Sequence, residues 1–243
     1  MDFKKIIFGV IIVIILYIFY TSVFADKSKT NLVDLHNAKG NSQIIASKKL
    51  SGPTSTNYTY SFWIYINDFN YRYGDEKIIL QRKNIVGEEN LYLPKISLGK
   101  NQNDIKVTIN QVMNKDKTSD THDIVVHSIP LQKWNHFIMT KSGDTIDIYI
   151  DGKLVKTSIM QNVAARIAGG TDIELTPGQG DDDSGFAGYI SKVNYFSNAI
   201  NTREAYQLYK EGYGSGMLGD FFNRFKLKFA FMQDNQEKSS IIL

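Results

Sequence analysis

Between Trp134 and Val155 the chain spells strand, turn, strand, turn and returning strand, and no other stretch limits the fold so tightly. Residues 145–150 alternate strictly: Ile146, Ile148 and Ile150 fall on one side, and Thr145, Asp147 and Tyr149 on the other. That is the pattern of a half-buried strand. Residues 134–141 ahead of it are rich in aromatic and β-preferring types, with Ser142-Gly143-Asp144 as the turn between the two. Asp151-Gly152 follows, flanked by apolar runs. This pair predicts a type I′ hairpin, whose two central residues both need positive φ. Leu154-Val155 begins the return strand.

About fifty residues on, a longer strand is predicted from Gly185. Strict alternation puts Phe186, Gly188, Ile190, Lys192 and Asn194 on one face, and Ala187, Tyr189, Ser191, Val193 and Tyr195 on the other. Neither face is cleanly polar, so both are expected to be covered. Asn201-Thr-Arg-Glu204 has capping-box spacing, and Ala205, Leu208 and Tyr209 form a short helical stripe that ends at Gly212.

In this order the pieces read W-x-H, an alternating strand ending Y-x-D-G-x-x-V, then F-x-G-x-I-x-x-V-x-x-F-x-x-A-I-x-x-x-E-A-x-x-L-Y. They resemble the concanavalin A-like lectin/glucanase superfamily, and its laminin-G-like branch in particular. Ser61-Phe-Trp63-Ile-Tyr-Ile66 is similar to that family's early strand with a central Trp. The resemblance spans residues 44–212 and implies an all-β fold, a jelly-roll sandwich of two antiparallel sheets. The many short strands read above agree with it.

A chain of 243 residues, about 170 of them in this middle part, can bury one large core. Fourteen Tyr, fourteen Phe and two Trp suit sheets that stack on one another. A net charge of +3 makes no electrostatic demand for nucleic acid. Cysteine is absent, which eliminates thiol catalysis and cysteine-ligated metal.

The two ends carry a different signal. Lys4-Lys5 precede Ile6–Phe24, nineteen uncharged residues of which seven are Ile. That length spans a bilayer core as a helix. The lysines predict a cytoplasmic N-terminus with the sandwich on the far side. A cleaved signal peptide is the alternative, but its apolar core usually runs only about 7–15 residues. The expected organisation is an anchor with basic flank over 1–25, a polar tether over 26–43, the sandwich over 44–212, and a Gly hinge with a Phe-rich basic tail over 213–243. In the tail, Phe221, Phe222, Phe225 and Phe229 recur at helical spacing, yet Phe225–Phe231 also alternates with period two. Both readings stand. Contact with a membrane or partner fits this basic aromatic segment, as does packing of the Phe residues back on the sandwich. Asn57-Tyr58-Thr59 is a glycosylation sequon that abuts a predicted strand.

Glucanases of the superfamily carry acidic residues at alternate positions of one strand, and the chemistry needs two carboxyl groups about 5 Å apart. No E-x-D-x-E string occurs here. Asp75-Glu76 and Glu88-Glu89 are adjacent pairs, which in a strand point to opposite faces and more naturally sit in turns. His36, His122 and His127 lack metal-type spacing, and the resemblance gives His136 of W-x-H a structural role beside the core. Trp63 and Trp134, within β motifs, read as core. A non-catalytic chain is therefore expected.

Two kinds of binding residue stand out. Asp181, Asp182 and Asp183 could wrap Ca²⁺, a hard cation taking six to eight oxygens, with Asp172 and Glu174 upstream able to converge. A solvated acidic turn is the alternative. Tyr71, Tyr73 and Tyr92, in or near predicted loops, are candidates to stack on a sugar ring. The expected function is a membrane-anchored lectin-like module that recognises glycan or protein. A packing block in a membrane-associated assembly, such as a virion shell or surface layer, is the alternative, and an unusual glycosidase is the remote one.

Overall fold

Asp151 and Gly152 both adopt positive φ, at 49° and 72°, so the turn is of the kind its sequence predicts. It joins Thr145–Ile150 to Lys153–Ile159 in a computed structural model of the protein. The structure describes residues 27–86, 89–113, 118–165, 169–178, 185–214, 228–233 and 236–242, together with Ile12, residues 15–17 and Phe19.

Two antiparallel sheets make the sandwich. In chain order the strands are β1 (Lys29–Lys39), β2 (Gln43–Ile45), β3 (Tyr58–Asp68), β4 (Lys77–Val86), β5 (Glu89–Leu98), β6 (Ile105–Met113), β7 (Thr118–Val126) and β8 (Trp134–Ser142). They continue with β9 (Thr145–Ile150), β10 (Lys153–Ile159), β11 (Val163–Ala164), β12 (Ile173–Leu175) and β13 (Gly185–Phe196), followed by helix α1 (Thr202–Lys210). The first sheet runs β1-β13-β3-β8-β9-β10; the second runs β11-β6-β5-β4-β12-β2, with β7 also paired to β6.

The core is the space between the sheets. Phe62 and Phe137 stand opposite each other on β3 and β8 with ring centroids 5.0 Å apart. Ile146 and Ile148 of β9 face the same space, as alternation predicts, against Leu80, Ile96 and Val107 of the second sheet, and all five are fully buried or nearly so. Each such side chain contributes about 1.5–3 kcal/mol through removal from water. The outer face of the first sheet has its own smaller cluster. Ile138, Tyr149 and Phe196 are buried there beneath Ala205 and Leu208 of α1. That helix begins as its sequence predicts: Asn201 Oδ1 accepts from the Glu204 N–H at 3.0 Å, while Glu204 Oε2 accepts from the Asn201 N–H at 2.7 Å.

Three expectations are corrected. Residues Lys29–Lys39, expected to lie within a polar tether, form the long edge strand β1 along β13. The partner strand supplies hydrogen bonds that no local hydrophobic period announces. In β13 the alternation breaks at Lys192, whose φ is +48°, with a register shift against β3 between Ser191 and Asn194. The extra residue turns the strand over, so Phe186 and Ile190 share the core with Val193 and Tyr195 instead of opposing them. Finally, Trp63 is buried, but under α1 and away from the inter-sheet core, and Trp134 is only half-buried.

Of the tail, β14 (Lys228–Gln233) and β15 (Gln236–Ile242) form a hairpin, so Phe229 lies in a strand and period two describes the backbone there. Phe221, Phe222 and Phe225 fall outside the described residues, as does most of the expected anchor. Among the described residues no helix is long and apolar enough to cross a membrane.

Candidate functional site

A single row of polar side chains crosses the outer face of the second sheet. Glu174, Gln81, Lys95, Thr108 and Asp123 stand next to one another on β12, β4, β5, β6 and β7. Three carboxylates at this face, among the described residues, are engaged. Glu174 accepts from Gln81 at 2.5 Å, with Lys83 Nζ at 3.6 Å. Asp123 accepts from Thr108 at 2.6 Å and pairs with Lys106 at 2.8 Å. Glu76, at the head of β4, takes Lys95 at 3.0 Å and Ser97 at 2.8 Å. Burial works to raise the pKa of Glu76 and Asp123, but these hydrogen bonds and lysines outweigh it and hold both below the ordinary value. A glycosidase acid needs the opposite, a raised pKa. Glu174 and Asp123 are also four strands apart, about 19 Å at the usual strand spacing, too far to act as a pair.

The predicted sugar-stacking tyrosines do not converge. Tyr71 and Tyr73 lie in the loop from β3 to β4, and Tyr73 is 62 % exposed. Tyr92 lies on β5 opposite Lys83, whereas Lys77, at the loop end of β4, is opposite Leu98. Six residues of strand therefore separate them, about 20 Å. Lys39 Nζ stands 5.0 Å from the Tyr71 ring and Lys95 Nζ 4.8 Å from that of Tyr92, so each has a cation over its ring.

The concavity at the other pole of β3 was not anticipated. There the polar loop entering β3, the β8–β9 turn and β11 of the second sheet meet around a cleft of about 520 Å³. Thr54, Ser55, Thr56 and Asn57 line one side, Asp144 and the β11 segment the other, and Tyr58 and Lys141 the inner wall. Asn57 Oδ1 accepts from the Gly143 N–H at 2.9 Å, and Ser55 Oγ donates to the Ser197 carbonyl at 2.7 Å, which ties the loop to its neighbours. Lys141 is 5 % exposed. Its ammonium donates to the carbonyls of Thr56 at 3.0 Å and Gly143 at 2.8 Å. Burial lowers its pKa, and nearby Asp144 pulls the other way. Tyr92 belongs to this pole: Asn110 accepts from its N–H at 2.7 Å, and the Asn110 carbonyl accepts from the N–H of Ala165, a cleft residue, at 2.9 Å. The only sequence signal for the cleft was a lysine at the inward parity of β8 behind a Thr/Ser/Asn loop.

In the sequon, Thr59 is fully buried, its hydroxyl paired with Thr140 at 2.7 Å and donating to the Asn198 carbonyl at 2.9 Å. Asp181, Asp182 and Asp183 lie outside the described residues. Upstream, Asp172 is committed to the Ser47 N–H at 2.8 Å and Glu174 to the outer row. Among the described residues no three His, Asp or Glu side chains gather as a metal site.

His136 carries out the structural part expected of it. It is 1 % exposed, stacked on Trp63, and its Nε2 lies 3.0 Å from Ser61 Oγ. Burial lowers its pKa to about 3, with a smaller contribution from the charge of Lys192.

The fold is shared with solved structures of low sequence identity. The receptor binding domain of botulinum neurotoxin D aligns with a TM-score of 0.51 at 16 % identity, over 72 % of this chain and 43 % of the other. The botulinum neurotoxin serotype D ligand binding domain in complex with N-acetylneuraminic acid gives 0.52 and 16 %, over 75 % and 44 %. The chain thus spans less than half of either. Comparison with curated proteins gives no match. The laminin-G-type family model, described as concanavalin A-like lectin/glucanases superfamily, matches residues 38–205, well over half of the chain. With the two-sheet sandwich, the capped helix on its back and this match, the chain belongs to the concanavalin A-like lectin/glucanases superfamily.

Proposed function

We propose that the protein is a non-catalytic lectin-like module, held at a membrane by residues 6–24, that recognises a glycan through the cleft beside Tyr58 and Lys141. The observation that carries this is the cleft itself: a concavity of about 520 Å³ whose rim of hydroxyl and amide side chains is held in place by hydrogen bonds. Its volume falls in the ordinary range for small-ligand sites, about 300–1,000 Å³. The engaged carboxylates of the outer row support a binding role over hydrolysis. The solved relative with N-acetylneuraminic acid supports a sugar as ligand by analogy of fold alone. The uncharged run of nineteen residues supports the anchor.

A glycan array with the full chain in detergent tests this reading. Binding should fall at least tenfold in Asn57→Ala and persist in Tyr73→Ala, which sits at the far pole. Binding lost in Tyr73→Ala and kept in Asn57→Ala would move the site to the β3–β4 loop, and no binding at all would remove the lectin reading.

The second reading, a packing block in a larger assembly, has one observation in its favour. Strand β10 lies at the edge of its sheet with Leu154, Val155 and Ile159 exposed by 47, 48 and 69 %. An apolar open edge is a template for pairing with another chain. Concentration-dependent oligomers that vanish in Val155→Lys would favour it.

A further inference from the structure

The chain enters the sandwich at the cleft. Lys27 is the first residue described after the uncharged run, and its carbonyl accepts from Ser51 Oγ at 2.5 Å. The next carbonyl, of Ser28, accepts from the Ser197 N–H at 3.1 Å. The Ser197 carbonyl in turn accepts from Ser55 Oγ at 2.7 Å, and Ser55 lines the cleft. One residue therefore joins the entering segment to the cleft loop. Phe24, which ends the uncharged run, lies only two intervening residues before Lys27. Three steps of chain reach at most about 11 Å, even fully extended. With residues 6–24 across a bilayer, the cleft pole is the one held at its surface.

The side chains at this pole suit that position. Val163, Ile85 and Ile159 are exposed by 72, 70 and 69 %, more than any other large apolar side chain among the described residues. Val163 lines the cleft. Ile159 stands opposite Thr145, next to the β8–β9 turn. Ile85 lies two residues beyond Lys83, the partner of Tyr92, toward the β4–β5 hairpin. Lys27, Lys48 and Lys49 are exposed at the same pole, the last two in the turn that leads to Ser51. Exposed apolar side chains beside lysines suit a surface that beds into lipid headgroups, with the cations meeting their phosphates. The cleft they surround offers hydroxyl and amide groups, with Asp144 the one acid among its lining residues. The described residues of the uncharged run, Ile12, Ile15, Leu16, Tyr17 and Phe19, are helical and exposed, so the sandwich does not cover them.

We infer that the cleft pole beds on the bilayer and that the cleft takes the sugar headgroup of a lipid in that same bilayer. This rests on the anchored lectin reading and narrows its ligand. A lipid headgroup reaches the cleft from within the membrane plane. A glycan on a protein or on another surface must instead enter the gap between sandwich and bilayer, which the short connection from Phe24 to Lys27 keeps narrow.

The full chain reconstituted in phosphatidylcholine vesicles tests both halves. The protein has no cysteine, so Ile159→Cys and Tyr73→Cys each carry a single fluorophore, at the cleft pole and at the far pole. Nitroxide-labelled headgroups should quench the Ile159→Cys label at least threefold more than the Tyr73→Cys label. For the ligand, neutral and sialylated glycosphingolipids are mixed into the vesicles. Tm should rise by about 3 °C or more, and the rise should vanish in Asn57→Ala but persist in Tyr73→Ala. Beads bearing the oligosaccharides of the same lipids should not capture vesicles of the unaltered chain. They should capture a variant with a Gly-Ser linker of about 20 residues after Ala25, whose mean reach of about 25 Å frees the cleft from the bilayer. Equal quenching of the two labels, no rise in Tm with the glycolipids, or equal bead capture of the unaltered chain and the linker variant overturns the inference. The lectin reading is judged separately, on the array in detergent, where no bilayer limits access. A positive array with equal quenching or equal capture sinks this inference alone, whereas a blank array removes the lectin reading and the headgroup ligand with it.

Discussion

Trp63 and His136 stand directly opposite each other on β3 and β8, with their rings stacked 4.8 Å apart at an interplanar angle of 25°. Tyr209 of α1 lies over the Trp63 ring at 5.6 Å, so the helix seals the pair from solvent. Because burial holds the His136 pKa at about 3, the imidazole is neutral in the folded protein at pH 7.

The pH dependence of folding follows from that pair. Below an ordinary histidine pKa of about 6.5 the unfolded chain takes up a proton that the native chain refuses until about pH 3. Stability therefore declines as pH falls through this window, by about 1.4 kcal/mol per unit from this group. Urea unfolding between pH 7 and pH 4 should show a shallower slope in His136→Gln than in the wild type. His36, also lowered by burial, contributes in both proteins and cancels in the comparison. Equal slopes would mean that His136 titrates normally.

Gly188 of β13 lies opposite Ile66 of β3, with no room for a side chain. A Cβ there would stand 2.0 Å from the Tyr65 carbonyl oxygen and 2.7 Å from the Phe186 ring. Neither the sheet backbone nor a core ring can yield that distance, so Gly188→Ala should abolish cooperative unfolding or lower Tm by more than about 10 °C. Gly143 has positive φ, at 57°, but nothing within 4 Å of its would-be Cβ. Gly143→Asn, a residue tolerant of that φ, should shift Tm by no more than a few degrees.

Core depth separates two apolar substitutions. Phe62→Ala removes a fully buried ring stacked on Phe137 and should cost about 3–5 kcal/mol in denaturant unfolding. Ile85 is 70 % exposed, and Ile85→Ala should stay within about 0.5 kcal/mol.

The capping box of α1 has consequences beyond the helix. Asn201→Ala removes the acceptor for the Arg203 and Glu204 N–H groups and should cost about 1 kcal/mol. Since Ala205 and Leu208 cover Ile138 and Tyr149, fraying should also expose that cluster. Faster hydrogen exchange at Ile138 and Tyr149 than at Ile148 in the variant would register it.

The hairpin at Asp151-Gly152, the strands on either side of it and the capped helix were legible because each is a local pattern in one stretch of backbone. Period two names a strand, positive φ names Asp-Gly, and a capping box needs four consecutive residues. The lectin-like resemblance was readable for the same reason, since its motifs are those local patterns in order. Strand β1 was not readable, because polar residues at a sheet edge carry no period and only β13 makes them a strand. The two faces of β13 were assigned by an alternation that one bulge at Lys192 reverses.

The cleft pole divides the same way. Strand content, turn type and the lack of an acidic catalytic strand were settled by residue order alone, because they depend on neighbours in the chain. Which polar groups share the interior was decided by the tertiary structure. Thr59 meets Thr140 across 81 positions, and Tyr195 reaches Gly52 across 143. In the sequence nothing sets Arg82 apart from the other charged residues. Only the closure of the two sheets buries it fully, within electrostatic reach of Tyr58, Tyr60 and Tyr195 and with its Nε donating to the Thr171 carbonyl, where the loss of water makes each such partner count.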